Sequence, residues 1–290
     1  ANSQINNICQ DNKGFIWIST ENGLSRFDGT DFTTFRHDRN KQTSIASNLV
    51  QTVFEDSSGN YWIGTSAGLE KFETEYNTFT HIDLQDPEIK ESDQHISSIT
   101  EVTIQGNRRI IAASSGHGIY ILDPDTFSTD KILQAEINSS LPSKFINCIF
   151  KDSRNWLWIA GNIGGICVID LEKGEAADTK VWIKDSAIRN KFLSVTSFVE
   201  DRRSGNVILG TSNDGLLIYD SKDGTIRKAE DGSAHSCRVE SIMQLSEEEG
   251  RVLIGTENEG IKIFTLADER LEDLDIPGSS YDISDWKIHS

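Results

Sequence analysis

The chain has 290 residues, of which 36% are hydrophobic, 8% aromatic and 26% charged; this suits a cored globular protein and leaves no run of 18 apolar residues to form a membrane helix. Its 28 basic and 46 acidic residues give a net charge of −18, which repels phosphate backbones and anionic headgroups, so neither nucleic-acid binding nor membrane contact is expected of this chain. Four scattered cysteines, Cys9, Cys148, Cys167 and Cys237, form no C-x-x-C pair and read as buried thiols in strands.

Ala1-Asn2-Ser3-Gln4 has neither a basic nor an apolar leader segment, which implies a removed signal peptide or a start inside a longer protein. The first apolar segment, Asn6-Asn7-Ile8-Cys9-Gln10, is a short strand ending at Asp11-Asn12-Lys13-Gly14. There the Asp carboxylate caps backbone N–H groups and Gly accepts positive φ. Phe15 to Ser19 is apolar almost throughout, the pattern of a strand covered on both faces. Glu21-Asn22-Gly23 turns the chain into the alternating Leu24-Ser25-Arg26-Phe27, and Asp28-Gly29 is a hairpin signal before Phe32-Thr33-Thr34-Phe35. After a loop from His37 to Ser47 the cycle restarts at Leu49-Val50-Gln51-Thr52-Val53-Phe54.

The unit recurs. Trp17-Ile18-Ser19-Thr20-Glu21-Asn22-Gly23-Leu24 returns as Trp62-Ile63-Gly64-Thr65-Ser66-Ala67-Gly68-Leu69 and again from Trp158 to Ile166. The copies at 208–216 and 253–261 keep the frame without the tryptophan, and 111–119 is degenerate. The marker glycines Gly23, Gly68, Gly118, Gly165, Gly215 and Gly260 are spaced by 45, 50, 47, 50 and 45 residues. Several short strands per period of that length mark a propeller blade, and the amphipathic runs that helical repeats need are absent. The D-x-x-G turn also repeats, as Asp56-Ser57-Ser58-Gly59 and, with Asn for Gly, as Asp152-Ser153-Arg154-Asn155. The predicted fold is an all-β propeller of four-stranded blades in one domain, 1–290. The blades fall at about 5–46, 47–94, 95–143, 144–191, 192–235 and 236–276, and 277–290 reads as the first strand of a further blade. A seven-bladed parent ring is therefore expected, with a closed six-bladed ring as the alternative.

Turns alternate ends in a meander, so those between second and third strands share a rim with the long blade-to-blade connections. That rim carries the candidate ligand-binding residues Glu21, Asn22, His117, Asn213, Asp214 and Glu257, and the loops 83–95, 135–144 and 184–191. No catalytic, cofactor-binding or metal-binding residue and no cofactor is expected, because the six histidines show no close ligand spacing. His95, His235 and His289 do fall near the starts of innermost strands. Trp17, Trp62 and Trp158 share one repeat position and should pack between blades, whereas Trp182 and Trp286 lie outside it. The acidic pairs Asp83/Asp86 and Asp273/Asp275 read as solvated turns rather than glycosidase carboxylates.

The string from Ile8 through Asp11, Gly14 and Trp17 to Gly23-Leu24-Ser25-Arg26-Phe27-Asp28-Gly29 resembles the two-component regulator propeller repeat, as does Val53 to Thr65. The resemblance covers nearly the whole chain, strongly in the first two blades and poorly in the third. It implies a periplasmic sensor region of a bacterial hybrid two-component system, of the type by which gut Bacteroidetes detect polysaccharide breakdown products. In that family a propeller, a second propeller and an immunoglobulin-like domain precede one membrane helix, then kinase, receiver and DNA-binding modules. The implied partners are an oligosaccharide, met directly or through neighbouring domains, and a second copy of the parent in a homodimer. Nothing in the chain reads as a phosphoacceptor-histidine helix or a nucleotide-binding glycine signature. A non-catalytic sensor module is expected, with a propeller lyase or glycosidase as the alternative. The matching residues belong to turns and core, so they identify architecture and not a ligand.

Overall fold

A computed structural model of the chain describes residues 4–84, 94–133, 143–161, 165–172, 175–176, 182–183, 193–246 and 250–274. Within them the chain is an all-β propeller of six four-stranded antiparallel blades, with one four-residue 3-10 turn at Gly232–His235. The first blade is β1 (Ile5–Gln10), β2 (Ile16–Thr20), β3 (Gly23–Phe27) and β4 (Phe32–Phe35); the second is β5 (Val50–Glu55), β6 (Tyr61–Thr65), β7 (Gly68–Glu73) and β8 (Thr78–Ile82). The third is β9 (Ile96–Ile104), β10 (Asn107–Ser114), β11 (Gly118–Leu122) and β12 (Thr129–Leu133). The fourth is β13 (Ile146–Lys151), β14 (Trp156–Gly161), β15 (Ile166–Asp170) and a two-residue β16 (Glu175–Ala176). In the fifth, β18 (Val195–Asp201), β19 (Asn206–Thr211), β20 (Gly215–Asp220) and β21 (Thr225–Lys228) are joined by β17 (Trp182–Ile183), which pairs with β21 in parallel. The sixth is β22 (Val239–Ser246), β23 (Arg251–Thr256), β24 (Ile261–Thr265) and β25 (Arg270–Asp273). The chain gathers into two compact units, Ala1–Ile149 and Phe150–Ser290.

The turn chemistry read from the repeat is what the structure uses. Asp11 Oδ1 accepts the N–H groups of Lys13 and Phe15, each at 2.9 Å. Asp56 Oδ1 does the same for Ser58 and Asn60, and Asp152 Oδ1 for Arg154 and Trp156. Asn155 takes the left-handed place of the turn glycine with φ 61°. The marker position of the second blade has Gly68 at φ 127°, which a residue with a Cβ rarely adopts.

Each turn aspartate also reaches into the core. Its second oxygen accepts the indole N–H six residues on: Trp17 at 2.8 Å, Trp62 at 3.0 Å and Trp158 at 3.0 Å. The three tryptophans are at most 1% exposed and lie between blades, as their shared position predicted. Trp17 packs with Val50, Val53, Tyr61 and Phe72 of the second blade. Trp62 packs with Ile96, Ile99, Ile110 and Tyr120 of the third, and Trp158 lies edge-on to Tyr219 of the fifth at 4.8 Å. A glutamate on the next blade's inner strand latches the same turn from outside. Glu55 accepts the N–H of Asn12, Glu101 the N–H and hydroxyl of Ser57, and Glu200 those of Ser153.

The loops 135–142 and 184–191, the segment 85–93 with Asp86, the end 277–290 with Trp286 and His289, and Asp275 lie outside the described residues. So does the further blade expected there. All four cysteines are free thiols: Cys9, Cys148 and Cys167 stand half-buried in strands, and buried Cys237 sits just before β22 rather than within a strand.

Candidate functional site

A cavity of about 380 Å³ opens on the rim of the second blade. It forms because the connection from β4 to β5 folds back over β7 and β8. That connection carries apolar Ile45, which is fully buried, and is tied to the blade by Thr43 O, which accepts from Phe79 N at 2.9 Å. His37 is fixed inside it, its backbone N–H donating to Asn48 Oδ1 at 2.8 Å and its Nδ1 lying 2.9 Å from Ile45 O.

Ala46, Ala67, Leu69 and Ile82 give the cavity an apolar wall, and His37, Glu70, His81, Asp83 and Gln94 supply its polar groups. Glu70 stands on β7 opposite His81 on β8, directly paired in the strand register. Only 1% of Glu70 is exposed. Its Oε1 accepts the Ala46 N–H at 2.8 Å, while Oε2 has no hydrogen-bond partner and lies 3.5 Å from His81 Nδ1. Burial pushes the Glu70 carboxyl up to about 8, against the opposing pull of the Ala46 N–H and the Thr65 hydroxyl. At neutral pH it is therefore held mainly as the acid. His81 Nε2 lies 3.1 Å from Gln42 O. Both imidazoles thus contact a backbone carbonyl through one nitrogen, which makes that nitrogen the N–H donor and leaves the other as an acceptor in the neutral ring.

None of the six residues singled out from the sequence lines this cavity. Glu21 is exposed, its N–H donating to Gln4 O; half-buried Asn22 donates its N–H to Thr20 Oγ1 and accepts from Arg36 Nε at 3.1 Å. His117 is half-buried in the β10–β11 turn, and Asn213 is exposed in the β19–β20 turn. Asp214 beside it is buried, 3.4 Å from Lys228 Nζ, and Glu257 pairs with Arg238 at 2.8 Å. Those last two carboxylates are already matched by cations of the fold.

Sequence reading passed over Glu70, His37, His81 and Gln94. A signal for Glu70 existed: two places after the marker glycine the copies carry Ser25, Glu70, Tyr120, Cys167, Leu217 and Lys262, so one repeat alone puts a carboxyl there. His95, half-buried before β9, has its protonated form disfavoured by burial. His235 is committed through Nε2 to Ala229 O. Among the described residues no cluster of three or more His, Cys, Asp or Glu could hold a metal. Burial raises the Cys9 and Cys148 thiols to about 12 and the Cys167 and Cys237 thiols to about 11, so none is a ready nucleophile.

Comparison with known proteins bears on this frame. The family model described as two-component regulator propeller matches residues 1–22, 44–67 and 140–162. Each match takes in one aspartate turn with its tryptophan, in the first, second and fourth blades. Among solved structures the chain is similar to the extracellular domain assigned to the hybrid two-component system BT3049 of B. thetaiotaomicron, with 24% identity over 99% of this chain and 37% of that one, TM-score 0.74. It is also similar to the extracellular domain assigned to the hybrid two-component system BT4673 of the same organism, with 18% identity, 98% and 34% coverage and TM-score 0.72. The WD40 domain of Neurospora crassa Pan2 matches with 12% identity, 95% and 81% coverage and TM-score 0.64. The chain spans little more than a third of the two extracellular domains, and at these identities the likeness establishes the propeller fold. No curated protein matches the chain.

Proposed function

We propose, from the two-component regulator propeller repeat that this chain carries, that it is a non-catalytic ligand-sensing and scaffold propeller in the periplasmic region of a hybrid two-component sensor histidine kinase. The carrying observation is the repeat itself, matched in three blades and set in a fold shared with extracellular domains of two such systems. In this reading the signal is an oligosaccharide released from a polysaccharide, and the parent works as a homodimer. The rim residues Glu21, Asn22, His117, Asn213, Asp214 and Glu257 and the cavity around Glu70 are the surfaces that would meet it. An apolar wall facing imidazole, carboxyl and amide groups suits a sugar ring, which has an apolar face and a hydrogen-bonding edge. The carboxylates of the repeat are otherwise spent on turns, indole N–H groups and blade latches, which is structural employment.

The test is a transcriptional reporter of the parent kinase in cells fed defined polysaccharide digests, with and without residues 1–290. Loss of the response on deletion is expected, and an unchanged response overturns the reading. Release of sugar from those digests by the purified chain would replace it with a glycosidase or lyase reading.

A further inference from the structure

We propose that the cavity around Glu70 is a cation subsite for a ligand that presents a primary ammonium, such as the free amine of an amino sugar. The inference names the ligand chemistry of the proposed sensor, and it rests on that reading only for what the binding achieves.

Apart from the Gln94 amide, which offers both donors and an acceptor, the cavity's polar groups are carboxyls and imidazoles, and the Glu70 carboxyl becomes a pure acceptor once a cation displaces its proton. Glu70 Oε2 is buried without a hydrogen-bond partner although Oε1 of the same carboxyl is satisfied by Ala46. A buried polar atom left unmatched is costly, and its place marks where a donor belongs. Gln42 O and Ile45 O take an N–H of His81 and His37, so in the neutral rings His81 Nδ1 and His37 Nε2 are lone pairs. His81 Nδ1 is 3.5 Å from Glu70 Oε2, so one small donor can serve both. No lysine or arginine is among the described residues lining the cavity. An anion finds no permanent cation there, and a hydroxyl brings a single O–H donor where several acceptors wait. An ammonium brings three donors, no acceptor and the charge that Glu70 lacks. The apolar wall of Ala46, Leu69 and Ile82 then covers the carbon frame that bears it.

Protonation gives this fit a signature. The titratable groups lining the cavity with Glu70 are His37 from the β4–β5 connection, His81 from β8 and Asp83 after it. With the empty Glu70 titrating at about 8, an entering cation displaces the carboxyl proton. Binding at pH 7 should therefore release up to about one proton, and affinity should fall about tenfold for each pH unit below pH 8.

Calorimetry on the 290-residue chain with D-glucosamine, D-glucose and N-acetyl-D-glucosamine tests the proposal, at pH 6 and 7 in buffers of differing ionisation heat. Glucosamine is expected to bind at least about tenfold tighter than either neutral sugar, more tightly at pH 7 than at pH 6, with proton release. Glu70→Gln keeps the shape and the acceptor for Ala46, and should weaken glucosamine about tenfold or more while abolishing the proton release. The Ala46 amide resonance of the wild-type chain should shift on titration, a readout that needs no variant. Equal binding of glucose and glucosamine, no saturable glucosamine binding at millimolar concentration, or binding without the Ala46 shift each overturns the proposal. Glucosamine binding in a parent whose reporter ignores it would sink the sensing reading and leave the subsite standing. A reporter that answers neutral oligosaccharides while the chain ignores glucosamine would do the reverse.

Discussion

The seam between the first two blades is aromatic and hydrogen-bonded, whereas the seam between the last two is aliphatic. In the first, Trp17 lies 5.1 Å from Tyr61 and 5.3 Å from Phe72, and Asp11 Oδ2 accepts both the Trp17 N–H and the Tyr61 hydroxyl at 2.8 Å. In the second, Ile208 fills the repeat place of the tryptophan and packs with Leu216, Ile218, Val239, Val252 and Ile254. The turn aspartate of the fifth blade, Asp201, has local side-chain contacts among the described residues: the Arg203 N–H at 3.2 Å and Nε at 3.5 Å, and the Ser204 hydroxyl at 2.6 Å. Indole and carboxylate therefore form one device. The ring fills the gap between blades, its N–H requires a buried acceptor, and the turn aspartate supplies one without giving up its cap. Without the indole the aspartate has no reason to enter the core, and branched aliphatics fill the gap at the cost of that linkage. The repeat fixes a buried interblade position here and leaves its volume and chemistry free.

The strongest way to break the comparison is to empty both positions. Trp17→Ala, at a ring only 1% exposed, should destabilise the chain by about 3–5 kcal/mol in denaturant unfolding, and Ile208→Ala by about 2 kcal/mol. Equal losses would show that the two seams are equivalent. Removing the carboxylates sharpens the point. Asp11→Ala strands two buried donors, Trp17 Nε1 and Tyr61 OH, and should cost about 3 kcal/mol. Asp201→Ala removes a local cap alone and should cost about 1 kcal/mol or less. Asp11→Ala made on a Trp17→Phe background should cost clearly less than on the wild type, because phenylalanine has no N–H to strand.

Much of this frame was legible before the structure. Glycine spacing, the D-x-x-G turns and the shared place of Trp17, Trp62 and Trp158 are local signals that repeat, and repetition separates them from chance. What stayed hidden depends on long-range register. Tyr61 meets Asp11 across 50 positions of sequence, and Glu55, Glu101 and Glu200 read as ordinary surface acids until the neighbouring turn is seen against them. The short β17 pairs in parallel with the fifth blade, which no alternation pattern announces. The cavity was the least legible feature. His37 and His81 lie in different blades of the repeat, and Glu70 brings them into one site only because the β4–β5 connection folds back onto it.

The smallest expected effect is electrostatic and concerns acid. Burial alone would lift the Asp11 carboxyl, but hydrogen bonds from Trp17, Tyr61 and the backbone N–H groups of Phe15 and Lys13 outweigh it and hold Asp11 below its ordinary 3.8. A carboxyl depressed in the folded state contributes stability at every pH above its unfolded value, and that contribution drains away as pH falls through the folded value. Glu70, raised by burial to about 8, gives wild type and variant a shared opposite slope between about pH 4.5 and 8, while below about pH 4 the wild type should lose melting temperature as the carboxylate bonds are protonated. Asp11→Asn has no proton to gain there. Its amide still fills the turn but turns a donor toward the Trp17 N–H, so the variant should melt lower at pH 7 and then decline less steeply between pH 4 and 3. Glu101, depressed in the same way by Ser57 and Arg108, keeps some of the acid slope in both proteins, so the comparison rests on the difference between the slopes. Parallel acid profiles would mean that the four hydrogen bonds do not hold Asp11 ionised. The aromatic seam would then owe its strength to ring packing, and its contrast with the aliphatic seam would shrink to a difference in volume.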